Sequence, residues 1–169
     1  MNESCDGDIP EIRIDRDGKW YYRNMEMTRT DIIHYFYKHL QRDQHGDYHI
    51  KTETEQYPIR VEDVPFIIEG LDALTTGDEG GTSSMMIRLS DGSCEELQPD
   101  TLWIGNNHIV YCRIKGNEHA ARFSRKAYYQ LAKHIEGDEN LNRYSITIGN
   151  VSYPIHEIQT NENGGTHVR

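Results

Sequence analysis

Three features are scarce in this chain of 169 residues, and each scarcity closes off a class of protein. Cysteine occurs only at Cys5, Cys94 and Cys112, an odd count without Cys-x-x-Cys spacing. That excludes a disulfide framework and a zinc ribbon, which need paired, regularly spaced thiols. Basic residues number 18 against 28 acidic ones, for a formal net charge of −10. So negative a chain repels nucleic-acid phosphates and anionic membranes, and neither is expected as a partner. The local exception, Arg113, Lys115, Arg122, Arg125 and Lys126, reads as the solvated start of a helix. Long apolar runs are also missing, since no stretch reaches the roughly 18 residues of a membrane helix. The first residues, Met-Asn-Glu-Ser-Cys-Asp-Gly-Asp, lack the basic and apolar regions of a signal peptide. A cytoplasmic location is expected.

What remains is a composition of 36% hydrophobic and 27% charged residues, enough for a modest core under a solvated surface. Residues 1–7 and 159–169 are polar and read as loose tails. Ile12 and Ile14, the turn Asp17-Gly18, then Trp20 and Tyr22 alternate as a β-hairpin does. Thr28 and Asp31 resemble a capping box, and Ile32, Phe36 and Leu40 follow at helical spacing. Tyr48–Ile50 and Tyr57–Val61 read as strands.

The second half repeats this order. Leu102, Ile104, Asn107, Tyr111 and Arg113 stand 90 positions after Ile12, Ile14, Asp17, Tyr21 and Arg23. Ser124 can cap a second helix, whose Ala127, Leu131 and Ile135 stand 95 positions after Ile32, Phe36 and Leu40. Tyr144, Ile146 and Tyr153-Pro154-Ile155 stand 96 after Tyr48, Ile50 and Tyr57-Pro58-Ile59. The expected class is α+β, with two hairpin–helix–hairpin units over 8–60 and 101–158 and mostly antiparallel strands. Each unit alone is too small for an adequate core, so two are expected to pack together. Residues 61–100 connect them through a β segment, with a hairpin at Asp91-Gly92 and a Gly-rich loop over 75–84. Asp78 and Glu79 make that loop a linker rather than a phosphate cradle.

Three groups of residues carry a family likeness. Ile12-Arg13-Ile14-Asp15-Arg16-Asp17-Gly18 with Trp20-Tyr21-Tyr22, and Val61-Glu62-Asp63-Val64-Pro65-Phe66, are the first two. The third is Ala121-Arg122-Phe123-Ser124-Arg125 with Tyr128-Tyr129-Gln130-Leu131. Over residues 8–158 the chain resembles the uncharacterised bacterial domain-of-unknown-function family 1285. The resemblance implies a mixed α/β structure with repeated motifs, no established activity, and a suggested binding or signalling role. Leu89-Ser90 replaces the Thr-Asn pair common in the family, and Tyr144–Tyr153 replaces its Trp/Gly-rich strand pair. A ligand held through those positions in relatives would not be held in the same way here.

Candidate chemistry is sparse. His34, His39, His45 and His49 lie near Asp43 and Asp47 and are the residue types of a metal site. His34 and His39, however, stand about 140° apart around a helix, and Gly46 interrupts any helix joining His45 to His49. No metal is assigned. Asp15 and Asp17 lack the spacing of a calcium loop. No nucleophile elbow, Walker A loop or dinucleotide fingerprint occurs, and no cofactor is implied. The polar pair Glu62-Asp63 beside Phe66, with Trp20, Tyr22 and Arg60, is the candidate ligand-binding region. Eleven tyrosines against three phenylalanines suit half-buried faces and protein contacts, a homodimer among them.

A non-enzymatic module for a small ligand or protein partner in regulation is the leading reading. A metal-assisted hydrolase using the region His34–His49, and a structural, oligomer-forming protein, stand as alternatives.

Overall fold

A computed structural model describes residues 11–75, 81–138, 143–160 and 166–168. Cys5, the first expected tail and Asp78-Glu79 lie outside the described residues. Among the described residues the fold is mostly β with two α-helices and two mixed sheets, of α+β character. The chain divides into two compact units, Met1–Pro65 and Phe66–Arg169.

In the first unit the strands are β1 (Ile12–Ile14), β2 (Trp20–Tyr22), β3 (Met25–Glu26), β4 (Leu40–Arg42), β5 (Tyr48–Lys51) and β6 (Gln56–Val61), with α1 spanning Thr30–Lys38. They form one sheet in the order β3-β2-β1-β6-β5-β4. The expected hairpin forms at Gly18, whose φ of 79° suits a residue without Cβ. Asp15 locks that turn by accepting the Asp17 and Lys19 N–H groups, both at 2.9 Å. β1 and β6 pair in parallel, with Ile12 beside Ile59 and Ile14 beside Val61. All other pairs in this sheet are antiparallel. Ile12, Ile14, Trp20, Ile50 and Ile59 share one face by the alternation of the pleat, and all are buried.

Two details of α1 differ from the reading of the sequence. Its N-cap is Arg29, without a side-chain cap, and Thr28 is not part of a capping box. The Arg29 guanidinium holds the Asp31 carboxylate of the first turn at 2.6 and 3.2 Å. Leu40 is not the last residue of the helical stripe but the first of β4. Its burial comes from the sheet, where it faces Ile50.

In the second unit come β7 (Phe66–Thr75), β8 (Thr82–Leu89), β9 (Cys94–Glu96), β10 (Trp103–Ile104), β11 (Val110–Ile114), β12 (His119–Phe123), α2 (Arg125–Ala132), β13 (Ile135–Asp138), β14 (Arg143–Ile148), β15 (Val151–Thr160) and β16 (Thr166–Val168). The sheet order is β13-β14-β15-β10-β11-β12-β7-β8-β9, with β16 paired to β15. β10–β15 and β12–β7 are parallel pairs. The Asp91-Gly92 hairpin joins β8 to β9, with Gly92 at φ 82°. Ser124 caps α2 as expected, its hydroxyl accepting the Ala127 N–H. The Gly-rich stretch contributes more strand than expected. Thr82, Ser83 and Ser84 belong to β8, and the Ser83 hydroxyl donates to the Leu74 carbonyl at 3.0 Å. Likewise Ile135 opens β13 instead of closing α2. Within the segment read as a C-terminal tail, β16 pairs with residues Ile158–Thr160 of β15.

Candidate functional site

The first unit holds a cavity of about 740 Å³ between α1 and the end of the sheet. Its construction starts at a two-residue turn. Arg23 and Asn24, at φ 47° and 67°, both adopt the left-handed conformation that a tight β2–β3 hairpin needs. The turn brings Met25 opposite Tyr22. Past β3, Met27, Thr28 and Arg29 lead into α1, whose Ile32 and Phe36 stand one turn apart on the same helix face. Tyr57 and Pro58 of β6 complete the wall, with Ile12 and Glu11 on the β1 side.

The lining is therefore aliphatic, aromatic and thioether, with Glu11, Glu26 and Arg29 among it. Several walls are open to solvent: Met25 is 70% exposed, Tyr57 43% and Tyr22 39%. The charged members already have partners. Arg23 bonds Glu11 at 2.7 Å and holds its carboxyl below the ordinary range. Lys19 reaches Glu26 at 3.2 Å, and that bond raises the Lys19 ammonium above its usual value. Asp31 is likewise lowered by its bond from Arg29. On the Tyr57 side, a hydrogen bond from the phenol to Glu55 raises its pKa. Chemically this site offers apolar contact area with neutralised ion pairs at its margins.

Of the six residues read from sequence, the cavity takes one, Tyr22. Trp20 lies behind it in the core, 1% exposed, with its ring 5.7 Å from Phe36 and 5.0 Å from Tyr37. Arg60 sits on the other face of β6 from Ile59, beside Arg13 in the parallel pairing. Glu62 accepts a bond from Arg13 at 3.2 Å, and Asp63 is exposed beyond the end of β6. Phe66 begins β7 in the second unit, buried, with its ring 5.2 Å from His119 and 5.3 Å from the Lys115 ammonium. The sequence therefore missed Met25, Met27, Ile32, Phe36 and Tyr57 as neighbours. The available signal was the pair Met25 and Met27, apolar residues beside a helix start that no pattern required to be buried.

The histidines are spread along the first unit. His34 is exposed on α1, while the Nδ1 of His39 lies 2.8 Å from the Tyr35 carbonyl at the C-cap. His45 occupies the β4–β5 turn, where Asp43 accepts its N–H, and His49 lies in β5. Bonds from the Asp47 and His45 N–H groups lower the Asp43 carboxyl. Among the described residues no three His, Cys, Asp or Glu side chains gather as a metal site would require. Among those residues, too, no helix is long and apolar enough to cross a membrane.

A compact polar cluster lies in the second unit. Lys115 pairs with Asp91 at 2.8 Å and donates to the Ser93 hydroxyl at 3.1 Å. That hydroxyl in turn donates to Asp91 at 2.6 Å. Burial pushes the Asp91 carboxyl up, but the bonds from Lys115 and Ser93 outweigh it and hold the group below its ordinary value. Cys112 is buried, and that burial, helped by Glu95, pushes its thiol far up.

Comparison with known proteins adds a family likeness. Residues 2–64 match the family model described as "Domain of unknown function (DUF1285), N-terminal domain". The likeness read in the sequence is thereby shown. Two crystal structures share the fold. A DUF1285 family protein from Silicibacter pomeroyi DSS-3 is 19% identical, with a TM-score of 0.70 over 87% of this chain and 80% of its own. Another, from Shewanella baltica OS155, is 18% identical, with a TM-score of 0.61 over 74% of this chain and 92% of its own. No curated protein matches.

Proposed function

We propose that a chain whose first unit carries the DUF1285 N-terminal domain works as a non-enzymatic binding module, with the cavity of that unit as its seat. The carrying observation is the cavity itself. Its volume of about 740 Å³ falls within the range of ligand sites, and apolar and aromatic side chains dominate its lining. The aromatic walls Tyr22, Phe36 and Tyr57 supply contact area at small cost in side-chain freedom. Glu11, Glu26 and Arg29 already sit in ion pairs, so they offer orientation more readily than proton transfer. Binding without chemistry suits a regulatory role in the cytosol, where the free thiols Cys94 and Cys112 stay reduced.

The test is fluorescence titration of the full chain with N-phenyl-1-naphthylamine, an uncharged apolar dye. Saturable binding by the wild type, lost in Phe36→Asp, is the expected result. Binding unchanged in that variant would remove the cavity from consideration.

We also infer that the two units are copies of one hairpin–helix–hairpin plan. The support lies in their strand registers. Ile14 beside Val61 and Ile104 beside Glu157 are parallel neighbours offset by 90 and 96 positions, the offsets of the flanking motifs. Leu40 opposite Ile50 recurs as Ile135 opposite Ile146, and Tyr48 opposite Ile59 as Tyr144 opposite Ile155. The order β4-β5-β6-β1-β2-β3 recurs as β13-β14-β15-β10-β11-β12. An experimental structure in which these registers differ would end this reading.

A further inference from the structure

We infer that the occupant of the first unit's cavity is an extended peptide that joins the sheet as a strand beside β3. The inference rests on the binding reading and on the correspondence of the two units. It starts from what flanks the matching strand in the second unit. Met25–Arg29 corresponds to Ala121–Arg125 at an offset of 96, and Met27-Thr28-Arg29 resembles Phe123-Ser124-Arg125. β12 is not an edge. β7 runs parallel to it, with Phe66 beside Ala121, Ile67 beside Arg122 and Ile68 beside Phe123. The Ser124 N–H donates to the Ile68 carbonyl at 2.9 Å. Gln130 of α2 accepts the Leu71 N–H at 3.0 Å. Under that strand the inner side chains are sealed, with Ala121, Ala127 and Leu131 all at 0% exposure.

Among the described residues, the first unit has the same platform without the strand. β3 ends its sheet. The Met27 N–H donates inward to the Trp20 carbonyl at 2.8 Å, so by the alternation of an antiparallel ladder the N–H groups of Glu26 and Thr28 face outward. The counterparts of the sealed residues are larger and open. Met25 is 70% exposed, and Ile32 and Phe36 are half-buried at the cavity wall. Tyr35, in the place of Gln130, is 48% exposed. An edge strand beside an apolar trough is the arrangement that recognises extended peptides, main chain for affinity and alternate side chains for choice.

The chemistry of the peptide follows. Alternate residues are apolar and enter the cavity, as Ile68 does beneath its own helix in the second unit. Its flanks are basic, because the chain as a whole carries −10. The same charge disfavours a second copy of this chain as occupant.

The test uses the full chain and a fluorescent peptide with the sequence of Phe66–Leu74, carrying Ser in place of Glu69 and Asp72 and two Lys residues added at each end. Saturable binding is expected, with amide exchange slowed at Glu26 and Thr28. Glu26→Pro, which removes an outward N–H at an edge position where proline is tolerated, is expected to weaken the peptide about tenfold or more. Glu26→Ala keeps that N–H and should lose about threefold at most. Phe36→Asp, at the cavity wall, should abolish binding of dye and peptide alike. Dye binding without peptide binding, or peptide binding indifferent to Glu26→Pro with exchange unchanged, would overturn the strand while leaving the cavity. A dimer already protecting β3 without peptide would overturn it in favour of a second copy. Failure of dye and peptide alike would remove both readings.

Discussion

The hydroxyl of Ser124 accepts the Ala127 N–H at 3.2 Å, satisfying one of the free donors at the start of α2. α1 has no such bond, since Arg29 stands at its N-cap. Ser124→Ala should therefore cost about 1 kcal/mol. Thr28→Ala, at the position that resembled a cap, should change stability by less than about 0.5 kcal/mol. Urea unfolding of the two variants checks the contrast, and equal losses would contradict it.

Leu131 on α2 is fully buried, whereas Phe36 on α1 is half-buried. Leu131→Ala should cost about 2–5 kcal/mol through lost burial and the void left behind. Phe36→Ala should cost about half as much, because much of its ring surface already faces the cavity. Thermal or chemical unfolding gives the order of the two directly.

The turns and the strands β1, β2, β5 and β6 were legible because their signals are local. Asp17-Gly18 and Asp91-Gly92 each place glycine where φ is positive, and apolar alternation around the first turn assigns the faces of β1 and β2. Leu40 was misplaced for a physical reason. A four-residue step from Phe36 fits a helix, but the same residue fits the inward position of a strand facing Ile50. The cavity was illegible because its walls come from separate segments, residues 11–12, 22–29, 32–36 and 57–58. Sequence periodicity marks Phe36 as apolar. It does not say that the face opposite is left uncovered.

Asp91 and Lys115 make the second unit sensitive to acid. The folded carboxyl lies below its ordinary value, so the folded state binds this proton less readily than the unfolded chain. Its stabilisation is complete above the unfolded value of about 3.9 and is lost as pH falls through the folded one. Lys115→Met should cost about 1–3 kcal/mol near neutral pH by stranding a mostly covered carboxylate. It should also flatten the dependence of stability on pH below about 4. Unfolding curves at several acid pH values test both parts, and an undiminished slope would refute the assignment.

Thiol chemistry separates the two described cysteines. Cys94 is exposed, whereas Cys112 is buried with its thiol held protonated. Brief iodoacetamide treatment of the native chain should alkylate Cys94 and spare Cys112 until denaturant is added. Peptide mass spectrometry reads the outcome, and early labelling of Cys112 would show that its surroundings open readily.

The parallel pairing of β1 with β6 has a consequence for synthesis. Ile12 finds its partner Ile59 only after the intervening chain has left the ribosome. At about 5–20 residues per second, the first hairpin emerges seconds before the strand that must lie against it. Throughout that interval Ile12 and Ile14 have one unpaired flank, an opening that a nascent-chain chaperone is suited to cover.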